Sequence, residues 1–207
     1  MFEVLQYAVR DASEFSEEDY LNSYRYMDKT RKRKVERVQK ECSKKSTLAG
    51  EWMVRQLLSQ VTGESKEAFV ILEDEKGKPY VQNVTDIFFN ISHSDTKIAV
   101  AVSDEPVGVD IEILRPRSLK IAQKVCTPEE LLYVFGHEPS KEELKQEQSG
   151  EILRRFLEIW TVKEAYFKCI GTGITDFFAV NAFSEEFQKK TVFHEEYILN
   201  VVTVGRP

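Results

Sequence analysis

The chain has 207 residues, 42% of them hydrophobic and 31% charged, which suits one ordinary soluble domain or two small ones. A net charge of -6 gives the chain as a whole no attraction for nucleic acid or an anionic membrane. The three cysteines, Cys42, Cys126 and Cys169, lie far apart without a CxxC pair, which argues against a disulfide framework or a zinc site. The opening MFEVLQYAVRDASEF carries acids where a signal peptide needs an apolar core, and no apolar run approaches a membrane span. A cytoplasmic protein is expected.

In chain order, Phe2 to Val9 reads as a first strand, and Ser16 followed by Glu17, Glu18 and Asp19 as a capped helix start. The run from Lys29 to Lys45 is strongly basic and reads either as a solvated helix face or as an anion contact. Leu48, Trp52, Met53, Leu57 and Val61 recur at helical spacing, with Gly63 as the stop. Short strands are predicted over Ala68–Leu72, Asp86–Ile91, Lys97–Val102 and Val107–Leu114, with a turn at Lys76-Gly77. Helix is predicted over Ser118–Val125 and after the capping box at Thr127-Pro128-Glu129-Glu130. The polar stretch Glu138–Gln148 reads as a mobile loop or a solvated helix. A long amphipathic helix then starts at Glu151, carries Ile152, Phe156, Ile159, Trp160 and Phe167, and ends near Gly171 and Gly173. Strands are predicted at Phe177–Phe183 and Tyr197–Val204. The order implies an α+β protein of two similar halves, 1–104 and 105–207, divided near Asp104-Glu105-Pro106.

Two segments carry candidate chemistry. In Gly108-Val109-Asp110-Ile111-Glu112, alternation puts Asp110 and Glu112 on one face of a strand, where they repel unless a cation sits between them. An acidic solvent face on a half-buried strand would have the same sequence. In Trp160-Thr161-Val162-Lys163-Glu164-Ala165-Tyr166-Phe167-Lys168, helical spacing puts Glu164 and Lys168 on one face with Lys163 beside it, and an ordinary i,i+4 ion pair reads the same way. Together the segments offer carboxylates and lysines suited to Mg²⁺ on a polyphosphate, since Mg²⁺ takes oxygen ligands from a few carboxylates and substrate phosphates. His93, within Asn90-Ile91-Ser92-His93-Ser94-Asp95, is either a phosphate contact or an exposed turn histidine.

These motifs, with Gly77-Lys78-Pro79, stand in an order and at separations that resemble the surfactin-synthetase type of 4'-phosphopantetheinyl transferase. That family has a lysine in a GKP-like turn, then N-I-S-H-S, then G-[IV]-D-[IV]-E and, about fifty residues on, W-[ST]-x-K-E-[AS]-x-x-K. The resemblance covers nearly the whole chain and implies a pseudo-twofold pair of α/β halves, each a small, mainly antiparallel sheet with packed helices, with coenzyme A in the cleft between them. It implies that Asp110, Glu112 and Glu164 bind Mg²⁺ (or Mn²⁺), and that Lys163 and Lys168 are the family's motif lysines, with Lys168 on the coenzyme A phosphates. Mg²⁺ would polarise the β-phosphoryl group, both lysines would stabilise the leaving 3',5'-ADP, and Glu164 is the candidate general base. His93 and Lys78 match coenzyme A phosphate contacts. Arg33, and less directly Arg31, match upstream basic ligands, and Ser46 stands where the family has an arginine for the 3'-phosphate, with Lys44 and Lys45 beside it. The implied partner is an apo carrier protein, acyl or peptidyl, served by a monomer without nucleic acid or membrane. Two other classes fit the bare residues: a Mg²⁺-dependent nucleotide pyrophosphate hydrolase, and a non-catalytic module that binds carrier proteins or coenzyme A.

Overall fold

The computed structural model describes residues 5–205, so the first residues of the strand expected at Phe2–Val9 lie outside the described residues. The strand that follows, β1 (Leu5–Asp11), leads into α1 (Glu17–Tyr26), which starts at a capping box between Ser16 and Asp19. The basic run forms α2 (Lys29–Arg37), capped by Asp28, and the first turn of α3 (Glu41–Thr62). Helix α3 buries Leu48, Trp52, Met53 and Leu57 along one stripe and ends at Gly63. A short hairpin, β2 (Ile71–Glu73) with β3 (Pro79–Val81), and then β4 (Phe88–Ser94) and β5 (Lys97–Ser103) complete this half.

The second half opens with β6 (Val107–Ile113), followed by β7 (Arg117–Ser118), α4 (Ala122–Val125), α5 (Pro128–Phe135), α6 (Lys141–Lys145) and β8 (Glu147–Gln148). The long helix α7 (Gly150–Ile170) and the hairpin of β9 (Gln188–Phe193) with β10 (Tyr197–Thr203) close the chain. The sheets run in the orders β1-β5-β4 and β6-β10-β9, all pairs antiparallel. In each sheet the half's last strand is central, flanked by its first strand and by the strand just before it in the chain. The chain is thus an α+β protein with one topology used twice.

Period-two alternation distributes the core. Ile98, Val100 and Val102 of β5 pack towards α3, while Ala99 and Ala101 face Val109, Ile111, Leu199 and Val201 of the second sheet. Ile198 and Val202 of β10 join the cluster around α7. Fully burying such a side chain contributes about 1.5–3 kcal/mol, so each strand is held by both of its faces.

Three expectations change and one open alternative is decided. Phe177–Phe183 is no strand: residues Phe177–Ala179 form a 3-10 turn, with the Asp176 side chain accepting from the Phe178 amide. Helix covers only the end of the segment expected at Ser118–Val125, because Arg117–Ser118 pairs with Glu147–Gln148. For the polar stretch Glu138–Gln148 the helical alternative holds at α6, which is mostly exposed and anchored by buried Leu144. Of the strand expected at Ala68–Leu72, the first residue closes a 3-10 turn and the ladder starts at Ile71.

Candidate active site

Strand β6 turns Val109 and Ile111 into the core between the sheets and Asp110 and Glu112 to the opposite face. Helix α7 lies against β6 at Gly108. A Cβ there would come within 1.9 Å of the Ala165 carbonyl oxygen and 2.5 Å of the Cys169 amide nitrogen. This close approach lets Lys168 donate to Asp110 Oδ1 at 2.6 Å, and Glu164, one turn earlier on α7, shares the field of the same carboxylates.

Strand β4 supplies the third side. It runs beside β6 without a backbone ladder, and alternate side chains make the connection. Asn90 Oδ1 accepts from the Val109 amide at 3.0 Å, Ser92 Oγ donates to Asp110 Oδ1 at 2.8 Å, and Ser94 Oγ accepts from the Ile113 amide at 3.2 Å and donates to Glu112 Oε2 at 3.3 Å. Lys168 also donates to Ser92 Oγ, at 2.9 Å. Each β6 carboxylate therefore has one oxygen tied to a β4 serine.

Asp110 is only 5% exposed, and its second oxygen, Oδ2, is buried without a hydrogen-bond partner. Burial pushes its carboxyl above the usual range against the pull of Lys168 and Ser92. Burial, and then the charge of Asp110, push Glu164 up to about 7, with Lys168 opposing and Glu112 adding. A buried, unpartnered carboxylate oxygen beside two further carboxylates is a donor set for a hard cation such as Mg²⁺. Among the described residues no three His, Cys, Asp or Glu side chains are grouped so as to hold a metal ion.

The remaining candidates divide. His93, on β4, keeps an exposed face; desolvation of its ring and the nearby Lys168 charge hold its pKa below the ordinary histidine value. Lys78 crosses between the halves and donates to the Cys169 carbonyl at 2.7 Å, at the C-terminal end of α7, where a cation suits the helix dipole. It also lines a cleft of about 560 Å³ with Tyr80, Phe88, Phe89, Ile170 and Gly171. Arg33 is exposed on α2 and Lys44 half-buried on α3, while Lys45 pairs with Glu17 at 3.1 Å; none of the three contacts the carboxylates. Arg31 is not free for a ligand: it is buried and bound to Glu51 at 2.8 Å and Glu73 at 3.0 Å, and Glu73 also takes Lys34.

Lys163 is a correction. It is fully buried and donates to Glu130 at 2.6 Å, the Val125 carbonyl at 2.8 Å and the Phe177 carbonyl at 3.0 Å. Its neighbour Glu164 faces β6, and the rotation of about 100° per helical residue carries Lys163 into the core instead. Glu130 is matched in turn by the Thr127 and Ala182 amides, so the pair fastens α5, α7 and the 177–182 segment together. We expect Lys163→Met to destabilise the fold by about 3–5 kcal/mol by stranding a buried carboxylate, and Glu130→Gln with Lys163→Met to recover most of that. Urea midpoints check it; a single variant as stable as the parent refutes it.

Sequence reasoning passed over the β4 seam, although Asn90, Ser92 and Ser94 fall at the i, i+2, i+4 spacing that puts polar groups on one strand face. It also passed over Arg117, which donates to Glu112 Oε2 at 3.1 Å and carries no motif signal.

Two family models tile the chain. One described as "4'-phosphopantetheinyl transferase, N-terminal" matches residues 14–105, and one described as "4'-phosphopantetheinyl transferase superfamily" matches residues 106–201. The chain belongs to the 4'-phosphopantetheinyl transferase superfamily. Its relatives include the transferase gsp of Aneurinibacillus migulanus, 35% identical over 162 residues that make up 78% of this chain and 62% of that protein. Sfp of Bacillus subtilis (strain 168) is 31% identical over 129 residues, 62% of this chain and 53% of that protein. AcpT of Salmonella typhi is 38% identical over 100 residues, 47% of each chain. The chain thus spans from about half to about three fifths of the length of these relatives. Among the described residues no helix is long and apolar enough to cross a membrane.

Proposed function

We propose that this protein transfers the 4'-phosphopantetheine arm of coenzyme A to a serine hydroxyl of an apo carrier protein, acyl or peptidyl, releasing 3',5'-ADP. The observation that carries this reading is the acidic face of β6, with the buried, unpartnered Asp110 Oδ2 beside Glu112 and Glu164, in a chain of this superfamily. Asp110, Glu112 and Glu164 would hold Mg²⁺ or Mn²⁺, which when bound neutralises pyrophosphate charge and polarises the phosphoryl group.

The chain's own residues have separate tasks. The cleft lined by Lys78, together with His93 and the half-exposed Lys168, would receive the coenzyme, and Lys168 would stabilise negative charge on its phosphates. Glu164, directly or through a water it orients, would take the serine hydroxyl proton. The serine oxygen forms the new bond to phosphorus, and the phosphoanhydride bond breaks, leaving its electron pair on 3',5'-ADP. Helix α2 exposes Lys29, Arg33 and Arg37 at i, i+4 spacing without an acidic partner among the described residues. This supports contact with an acidic carrier surface despite the net charge of -6.

The reading is tested with coenzyme A, Mg²⁺ and a panel of apo carrier proteins, followed by intact mass. One phosphopantetheine gained by a carrier serine is expected. Coenzyme A cleaved with every carrier omitted would indicate a hydrolase, and binding without either change a non-catalytic module. We also expect kcat/KM for the carrier to fall as ionic strength rises, with coenzyme A saturating; a flat or rising profile would place docking on an apolar surface instead.

A further inference from the structure

The two β6 carboxylates are held in parallel ways. Asp110 Oδ1 accepts from Lys168 at 2.6 Å and from Ser92 at 2.8 Å. Glu112 Oε2 accepts from Arg117 at 3.1 Å and from Ser94 at 3.3 Å. In each case one internal cation and one β4 serine share an oxygen. Arg117 is fixed from behind, since Nη2 donates to the Ile113 carbonyl at 2.7 Å and Nε to the Arg115 carbonyl at 3.2 Å. With Asp110, Glu112 and Glu164 charged, Lys168 and Arg117 leave the group a net charge of only one negative unit. The Arg117–Glu112 pair is also partly solvated, the side chains being 36% and 24% exposed, so it can exchange for another partner.

We infer that Arg117 is an internal counter-ion of Glu112 that makes divalent-cation uptake depend on a phosphate-bearing ligand. This rests on the acidic group binding a divalent cation, as proposed above. Without ligand, Arg117 and Lys168 offset most of the negative charge that would draw the cation in, and Arg117 stays on Glu112 Oε2. An incoming pyrophosphate is a better partner for a guanidinium fork than a single carboxylate oxygen. It takes over Arg117, removes that positive charge from Glu112, and adds negative charge of its own. The cation and the coenzyme then bind cooperatively, each tightening the other by the same factor.

The test is calorimetric titration of Mn²⁺ into the full chain, with and without coenzyme A and with no carrier protein, so that no transfer takes place. For the parent chain, coenzyme A should tighten Mn²⁺ binding by about tenfold, and Arg117→Gln should tighten Mn²⁺ binding without coenzyme A by about the same factor while shrinking the coupling. Arg117→Lys keeps the charge but loses the fork, and should bind Mn²⁺ alone like the parent. Two outcomes overturn the inference. If Arg117→Gln binds Mn²⁺ alone no more tightly than the parent, Arg117 only orients Glu112. If Arg117→Lys matches Arg117→Gln, geometry rather than charge is responsible. The readout is independent of carrier modification, so failure of the transferase reading appears separately, as no mass gain on any carrier.

Discussion

Gly108→Ala is expected to abolish transfer and to destabilise the fold together. The added methyl would lie 1.9 Å from the Ala165 carbonyl oxygen and 2.9 Å from its carbonyl carbon, so it meets backbone that no rotamer change can move aside. Helix α7 must slide or tilt off β6, and overpacking of this kind costs about 1–3 kcal/mol, sometimes more. The displacement acts first on Glu164 and Lys168, which share the affected turns, and a shift of about 1 Å at reacting groups already costs about a hundredfold in rate. Gly50→Ala is the natural control. There the new methyl would meet Ile91 Cγ2 at 2.8 Å, a side-chain atom rather than backbone, where α3 packs on β4. It should lower the urea midpoint while retaining most activity. If Gly108→Ala kept the parent's midpoint and turnover, the close approach of α7 would not be what assembles the site.

The parts legible in the sequence are those set by one element's own periodicity. Asp110 and Glu112 share a face because a strand alternates, and Glu164 and Lys168 share one because a helix returns after four residues. Lys163 was misread because adjacency on a helix still means a turn of about 100°, and its destination depended on Glu130, on another helix. Arg31 was misread for a similar reason: nothing local announces that Glu51 and Glu73 await it. Strand β9 went unseen, since Gln188, Lys189 and Lys190 give an exposed edge little apolar signal; that charge suits an edge strand that must not pair further. The 177–183 segment has strand-like composition, but Lys163 captures the Phe177 carbonyl and Glu130 the Ala182 amide, taking two of its backbone groups out of any ladder.

Asp110→Asn is expected to lower transfer by about two to three orders of magnitude, the scale of losing one group that stabilises transition-state charge. The same change should leave the ligand-free fold as stable as the parent or slightly more so. Asp110 is buried among Glu112 and Glu164, with one oxygen unpartnered, and burial already works against its charge. An amide keeps an oxygen for Ser92 and Lys168 and replaces a negative oxygen by a neutral group. Lys168 loses its ion pair, but its side chain is 29% exposed, so water can solvate the ammonium. Intact-mass assays at saturating coenzyme A, alongside urea midpoints without metal, separate the two effects. Normal turnover would remove Asp110 from the site. Lost turnover with a midpoint lowered by several kcal/mol would make Asp110 a structural partner of Lys168 and Ser92. Lost turnover with stability held or raised is the signature of a carboxylate kept charged and under-bonded for a ligand's sake, at some expense to the fold around it.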